Sequence, residues 1–164
     1  MNIEIVPYSN EYIDGVRDLV LSIQQDEFGV QITYEDQLDL HDISAFYRKG
    51  IGDFWIALKG TEVVGSIGLT DIGNNKAVLR KMFVKESYRG ATHGVAKGLL
   101  DTLLKHARGN GVKEIYLGTT AQFLAAHRFY EKSGFDLIDE SDLPENFPRM
   151  AVHTRRYRLR LYEQ

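Results

Sequence analysis

The sequence predicts a sheet with helices packed on it, of the α+β or α/β class. Three observations lead there. The spacing of apolar residues switches between a helical period near 3.6 and a strand period of 2 along the chain. Clusters rich in glycine and asparagine mark the changes of period. A length of 164 residues, with 43% hydrophobic and 26% charged content, suits one domain with one core.

Residues 3–7 alternate weakly and stop at Pro7, a short first strand. Ser9 or Asn10 then offers a side-chain oxygen to the free N–H groups of a helix start. Tyr12, Ile13, Val16, Leu19, Val20 and Ile23 follow as one apolar stripe. A second helical stretch over 33–49 carries Leu38, Ile43, Phe46 and Tyr47 and ends near Gly50. From Asp53 the period changes: Phe54–Leu58, a turn at Gly60 and Val63–Leu69 read as an antiparallel hairpin. Past Gly73-Asn74-Asn75, residues 76–84 form a further strand. A helix over 94–109 turns Val95, Leu99, Leu100, Leu103, Leu104 and Ala107 inward. Glu114–Leu117 is a strand, and a helix from Gln122 to Ser133 closes on Gly134 in the C-cap role. Strands near 135–139 and 150–162 finish an order of βαα, three strands, α, β, α, β, β.

Composition excludes several classes of function. Twenty basic against twenty-three acidic residues leave a net charge of −3, without the basic excess of a protein whose main partner is nucleic acid. The chain has no cysteine, which removes thiolate nucleophiles, disulfides and cysteine zinc sites. The five histidines (41, 93, 106, 127, 153) show no metal-ligand spacing, so no metal is expected. The N-terminus has no basic start followed by an apolar run, and no stretch approaches the ~20 apolar residues of a membrane span. The expectation is a soluble, cytoplasmic protein with no membrane partner.

Chemistry concentrates in Met82-Phe83-Val84-Lys85-Glu86-Ser87-Tyr88-Arg89-Gly90-Ala91-Thr92-His93-Gly94-Val95-Ala96, a strand, a turn and a helix start. Free N–H groups and the helix dipole at such a start favour a phosphate. Glycines at 90 and 94 permit close backbone approach, and Arg89 adds fixed charge. The residues alone leave two readings open, a phosphate site and an ordinary turn. Neither a Walker loop nor a dinucleotide Gly-x-Gly-x-x-Gly pattern is present.

This run resembles the acetyl-CoA-binding motif of the GCN5-related N-acetyltransferase (GNAT) superfamily. About 30 residues on, Ala126-His127-Arg128-Phe129-Tyr130-Glu131-Lys132-Ser133-Gly134-Phe135 resembles a second signature of that family. The resemblance covers nearly the whole chain as a single domain, 1–164. It implies a mixed, mostly antiparallel sheet of about seven strands flanked by about four helices. It further implies that acetyl-CoA is the co-substrate and that backbone groups of Met82, Phe83 and Val84 pair with its pantetheine arm. The pyrophosphate would sit on amides from Arg89 through Gly90, Ala91, Thr92, His93, Gly94, Val95 and Ala96, and Ala126 would complete the cofactor wall. Tyr130 falls where the family often places the acid that protonates the CoA thiolate.

Two departures from the pattern stand out. Aligning on Gly94 leaves Arg89 and Gly90 two residues early, so the loop is longer by two and offers Thr92 and His93 to a phosphate. Phe123 stands where many members carry an asparagine, and Gln122 is the adjacent amide for that role. Strand 76–84 holds no carboxylate, so the candidate base is Glu27, beside Phe28 in the loop after the first helix. An ordinary solvated loop is the alternative there. Phe147 and Met150, in a loop stiffened by Pro144 and Pro148, are expected to shape the acceptor pocket together with Glu27 and Phe28. Arg156, Arg158 and Arg160 share one face of the last strand and are expected to be a solvated face rather than a nucleic-acid stripe. The expected function is transfer of an acetyl group to a primary amine by direct attack in a ternary complex. The alternative is a non-catalytic CoA-binding sensor or partner-binding module, and the family analogy allows a homodimer.

Overall fold

The continuous apolar run Phe54-Trp55-Ile56-Ala57-Leu58 signals a strand covered on both faces. In the computed structural model, which describes residues 2–90, 92–150 and 153–161, the two faces feed different cores. Phe54, Ile56 and Leu58 pack with Val16, Leu19, Val20, Ile43 and Tyr47 on one side. Trp55 and Ala57 pack with Leu99, Leu103, Tyr130 and Phe135 on the other. The molecule is therefore three layers, with a sheet between two sets of helices.

Among the described residues, seven strands run β1 (Ile3–Pro7), β2 (Asp53–Lys59), β3 (Glu62–Asp71), β4 (Lys76–Val84), β5 (Glu114–Thr119), β6 (Asp136–Ile138) and β7 (Arg155–Arg160). Their order in the sheet is β1-β2-β3-β4-β5-β7-β6. Every pair is antiparallel except β4 with β5, which is parallel and joined through α3 (Val95–Gly109). On the face opposite α3 lie α1 (Ile13–Leu21) and α2 (Ile43–Tyr47), and α4 (Leu124–Lys132) follows β5. The α+β sandwich of seven strands and four helices matches the expected architecture. No helix among the described residues is long and apolar enough to cross a membrane.

Three elements differ in detail from the sequence reading. Ser9 makes no cap: its hydroxyl donates to Glu11 at 3.2 Å. The first helical stretch is instead a 3₁₀ turn (Asn10–Tyr12), α1, and a π-helical turn (Ser22–Glu27). The stretch 33–49 is not one helix. Only a 3₁₀ turn at Leu38–Leu40 and the short α2 form, because Asp42 leaves helical backbone (φ −151°, ψ 84°) and its carboxylate accepts from the Ala45 N–H, starting a new helix. The last strand begins later than expected, at Arg155, and Ala151, Val152 and Tyr162 of the anticipated span lie outside the described residues.

Candidate active site

The parallel pairing of β4 with β5 covers only Lys76–Glu114, Ala77–Ile115 and Val78–Tyr116. Beyond Val78, β4 runs on to Val84 without β5 beside it. A cleft of about 880 Å³ opens where the strands part. Its walls include Met82, Phe83, Val84, Leu117, Ala126 and Tyr130.

A β-bulge shapes the β4 wall. Ser66 pairs with Phe83 and Gly68 with Arg80, so Ile67 alone faces both Lys81 and Met82. Lys81 takes φ 54°, an uncommon value for a residue with a side chain. The Ser66 hydroxyl donates to its carbonyl at 2.7 Å. A regular strand would send Arg80 and Lys81 to opposite faces, yet both line the cleft.

At the other wall, Tyr130 packs against Phe135, Tyr157 and Phe129, 5% exposed. Its hydroxyl has no hydrogen-bond partner among the described residues. Burial, and then the neighbouring Tyr157, hold its pKa well above that of a free phenol, so it stays protonated.

Between β4 and α3, Gly90 takes φ 100° and Gly94, the residue before α3, takes φ 63°. A side chain at either would be strained by the backbone alone. Both line the cleft, as does Ala96, whereas Val95 points into the core. Thr92 is exposed; the His93 ring lies against Tyr88, with centroids 5.7 Å apart, and neither lines the cleft. Ala91 lies outside the described residues. Gln122 is exposed and away from the cleft wall, where Phe123 stands instead, edge-on to Phe28 (5.0 Å) and Phe83 (5.9 Å).

Arg89 and Glu27, assigned to different substrates by the sequence, meet each other. The guanidinium holds the Glu27 carboxylate through both terminal nitrogens, donates from Nε to the Val84 carbonyl at 2.7 Å, and lies over the Phe28 ring. Arg89 and Phe28 line the cleft and Glu27 does not. Phe147 and Met150 also line it.

The sequence reading missed the far end of the cleft. Arg80 and Lys81 stand there with Asp39, which is buried behind them. Asp39 accepts from the Tyr47 hydroxyl at 2.5 Å, contacts Lys81 Nζ at 3.2 Å and lies 3.9 Å from Arg80. Burial pushes the Asp39 carboxyl up, but Lys81, Arg80 and the Tyr47 hydroxyl outweigh it and hold its pKa below the usual carboxylate value. His153 lines the same space, and its buried Nδ1 has no partner among the described residues. Gly118 makes room for the ring: a Cβ there would lie 2.4 Å from Nδ1. Burial, then Arg80, Lys81 and Arg156, push the imidazole pKa down to about 4, so it is neutral at pH 7. Gln24 also lines the cleft, its amide locked to that of Gln37 by bonds of 3.0 and 2.8 Å. The one available signal was a pair of consecutive cations inside an otherwise apolar strand.

The other histidines serve the fold: His127 bonds the Thr120 carbonyl, His106 the Ile51 carbonyl, and His41 stacks on Tyr34. Three of the C-terminal arginines form ion pairs, Arg155 with Glu131, Arg156 with Glu140 and Arg160 with Glu114.

Residues 17–135 match the family model described as the acetyltransferase (GNAT) family. An N-acetylaspartate synthetase of Danio rerio is 35% identical over 137 residues, which cover 77% of this chain and 48% of that protein. This chain spans about half or less of the length of the N-acetylaspartate synthetases it matches. A crystal structure of a GNAT-family acetyltransferase from Staphylococcus aureus Mu50 superposes with a TM-score of 0.94 at 37% identity, covering 98% of this chain and all of that one. The fold is shared with a PaiA N-acetyltransferase from Thermoplasma acidophilum crystallised with coenzyme A, with a TM-score of 0.76 at 19% identity over 98% and 99% of the two chains.

Proposed function

Since the chain belongs to the acetyltransferase (GNAT) family, we propose that it moves an acetyl group from acetyl-CoA to a primary amine by direct attack in a ternary complex. The observation that carries this reading is the unpaired edge of β4. From Leu79 to Val84 its β5-facing side has no strand partner and opens on the cleft. An extended amide-bearing chain satisfies such an edge as an added strand would. The pantetheine arm of acetyl-CoA is of that kind, and Met82, Phe83 and Val84 supply the groups it would pair with. Its pyrophosphate then reaches the turn from Gly90 to Ala96, where the N–H groups at the start of α3 favour negative charge.

The bound thioester supplies an activated acetyl carbonyl. The amine nitrogen attacks that carbonyl carbon, the N–C bond forms, the C–S bond breaks and the nitrogen sheds a proton to water. A backbone N–H at the Lys81–Met82 bulge polarises the carbonyl. Tyr130, held protonated by its surroundings, delivers a proton to the departing thiolate and regains one from solvent. Glu27 has a positioning task in this scheme, since its carboxylate is engaged by Arg89 and ties the turn after α1 to the phosphate loop.

The test is acetyl-CoA binding and CoA-thiol release measured together on the purified protein against a panel of amines. Saturable binding with turnover, and double-reciprocal plots that intersect, are expected. Binding without thiol release on any amine would leave a CoA-binding module and overturn catalysis. Parallel plots would replace direct attack with an acyl-enzyme.

A further inference from the structure

The cleft is lined unequally by charge. Of its described lining residues, six are lysine or arginine and one, Asp101, is acidic. Asp101 sits on the outer part of α3, bonded to Lys97 at 2.8 Å. At the opposite end, between the π-helical turn and the 147–150 loop, no described carboxylate faces the space. Asp39 is sealed behind Arg80 and Lys81 with 1% of its side chain exposed, and Glu27 is bound by Arg89. A polycationic acceptor would find nothing there to pair with.

The cations, by contrast, are under-compensated. Asp39 is one carboxylate for two positive side chains, and Lys81 is the nearer. The Arg80 guanidinium is beyond hydrogen-bond reach at 3.9 Å and rests its face on Phe46. Its side chain is only 16% exposed, so water satisfies it poorly. A partly buried cation without its own counter-ion is costly to keep, and a ligand carboxylate removes that cost with a forked pair of hydrogen bonds. The backbone commits a bulge and a left-handed lysine to bring both cations to one wall. Strain of that kind persists where the surrounding structure enforces it, most often at ligand sites. His153, whose Nδ1 has no partner among the described residues, supplies a third polar group in the same space.

We propose that the acceptor is an amine that itself carries a carboxylate, of the amino-acid class, held through that carboxylate by Arg80 with Lys81 beside it. The inference rests on the acetyl-transfer reading above and narrows its acceptor. Arg80 is the specificity-determining residue. The buried Asp39–Lys81–Tyr47 group fixes the wall against which Arg80 stands.

The experiment is initial-rate thiol release at saturating acetyl-CoA over matched acceptors: L-aspartate, L-glutamate and glycine, their carboxamides, and spermidine. Turnover confined to carboxylate-bearing amines is expected, with kcat/KM about 10²-fold above that of the matching carboxamide, the usual worth of a charge-assisted pair. Arg80→Gln should raise the acceptor KM by a similar factor while the KM for acetyl-CoA holds, and Arg80→Lys should recover part of the loss. Best turnover on spermidine or on the carboxamides would overturn this inference and leave acetyl transfer standing. So would an Arg80→Gln effect that falls on acetyl-CoA instead of the acceptor. Thiol release from none of the amines, with acetyl-CoA bound, would overturn the parent reading and this one with it. The acceptor series on the unaltered protein decides the matter even if Arg80→Gln fails to fold.

Discussion

Two side chains in the cleft have ionisation states set by burial, with opposite consequences. Tyr130 is held protonated, so as an acid it is ready at every pH at which the protein can be assayed. Tyr130→Phe should lower kcat by roughly 10²-fold. The melting temperature should hardly change, because the hydroxyl bonds no described residue. In the unaltered enzyme, kcat/KM should rise with pH as the amine deprotonates and then stay flat past about pH 10, the ordinary tyrosine pKa. An unchanged kcat in the variant would remove Tyr130 from the chemistry. His153 works the other way: its pKa is pushed from 6.5 to about 4 in the folded protein by burial and the cations around it. Between those values the unfolded chain takes up a proton that the folded one refuses, so the stability His153 contributes is complete above pH 6.5 and lost on falling towards pH 4. The loss is at most about 3 kcal/mol. Urea unfolding between pH 4 and 7.5 should show a shallower slope for His153→Gln than for the parent. Identical slopes would mean that the imidazole is not desolvated as drawn.

Single elements show where sequence reading reached and where it stopped. The hairpin of β2 and β3, the long α3 and the closing Gly134 were legible because each rests on local periodicity or on one turn residue. The helix expected over 33–49 failed because Asp42 restarts the chain there, and the spacing of Leu38, Ile43, Phe46 and Tyr47 does not reveal a cap. That Tyr130, Gly90, Gly94 and Phe147 would gather at one cleft was legible through a resemblance. Arg80, Lys81 and His153 were not. Their convergence depends on a bulge without glycine at its centre and on a ring lodged over Gly118, both of which are relations between strands. The Arg89–Glu27 pair spans 62 residues and was equally invisible. It sets up a prediction for the turn after α1. Glu27→Gln should cost about 1 kcal/mol or less, as expected of a partly exposed ion pair. It should raise the acceptor KM modestly as Phe28 loosens, and leave the pH profile of kcat intact. Loss of the basic-side rise in that profile would make Glu27 a proton acceptor instead.

Across the whole molecule, the cleft crosses from one layer of helices to the other, because it opens within the sheet itself. Leu100, Leu104, Ala126 and Tyr130 line it from the α3 side, and Ile23, Gln24 and Phe28 from the α1 side. Acetyl-CoA entering along β4 and an acceptor entering past the π-helical turn would meet from opposite faces, which suits a ternary complex better than two sequential visits to one mouth. From Leu79 to Val84 the fold leaves β4 with backbone groups that no β5 strand pairs. A co-substrate that pairs with them should therefore stabilise the sheet where it is weakest. At 100 times its Kd, acetyl-CoA should add about 2.7 kcal/mol. For a domain of this size that is a rise of about 5–10 °C in melting temperature. Amide hydrogen exchange should slow most at 79–84 and 117–119, on both lips of the opening, and hardly at all in β1 or β2, whose ladders are complete on the cleft-facing side. Protection spread evenly over the sheet would place the ligand somewhere other than the gap between β4 and β5. A melting temperature indifferent to acetyl-CoA would mean that the unpaired edge is closed by the protein itself.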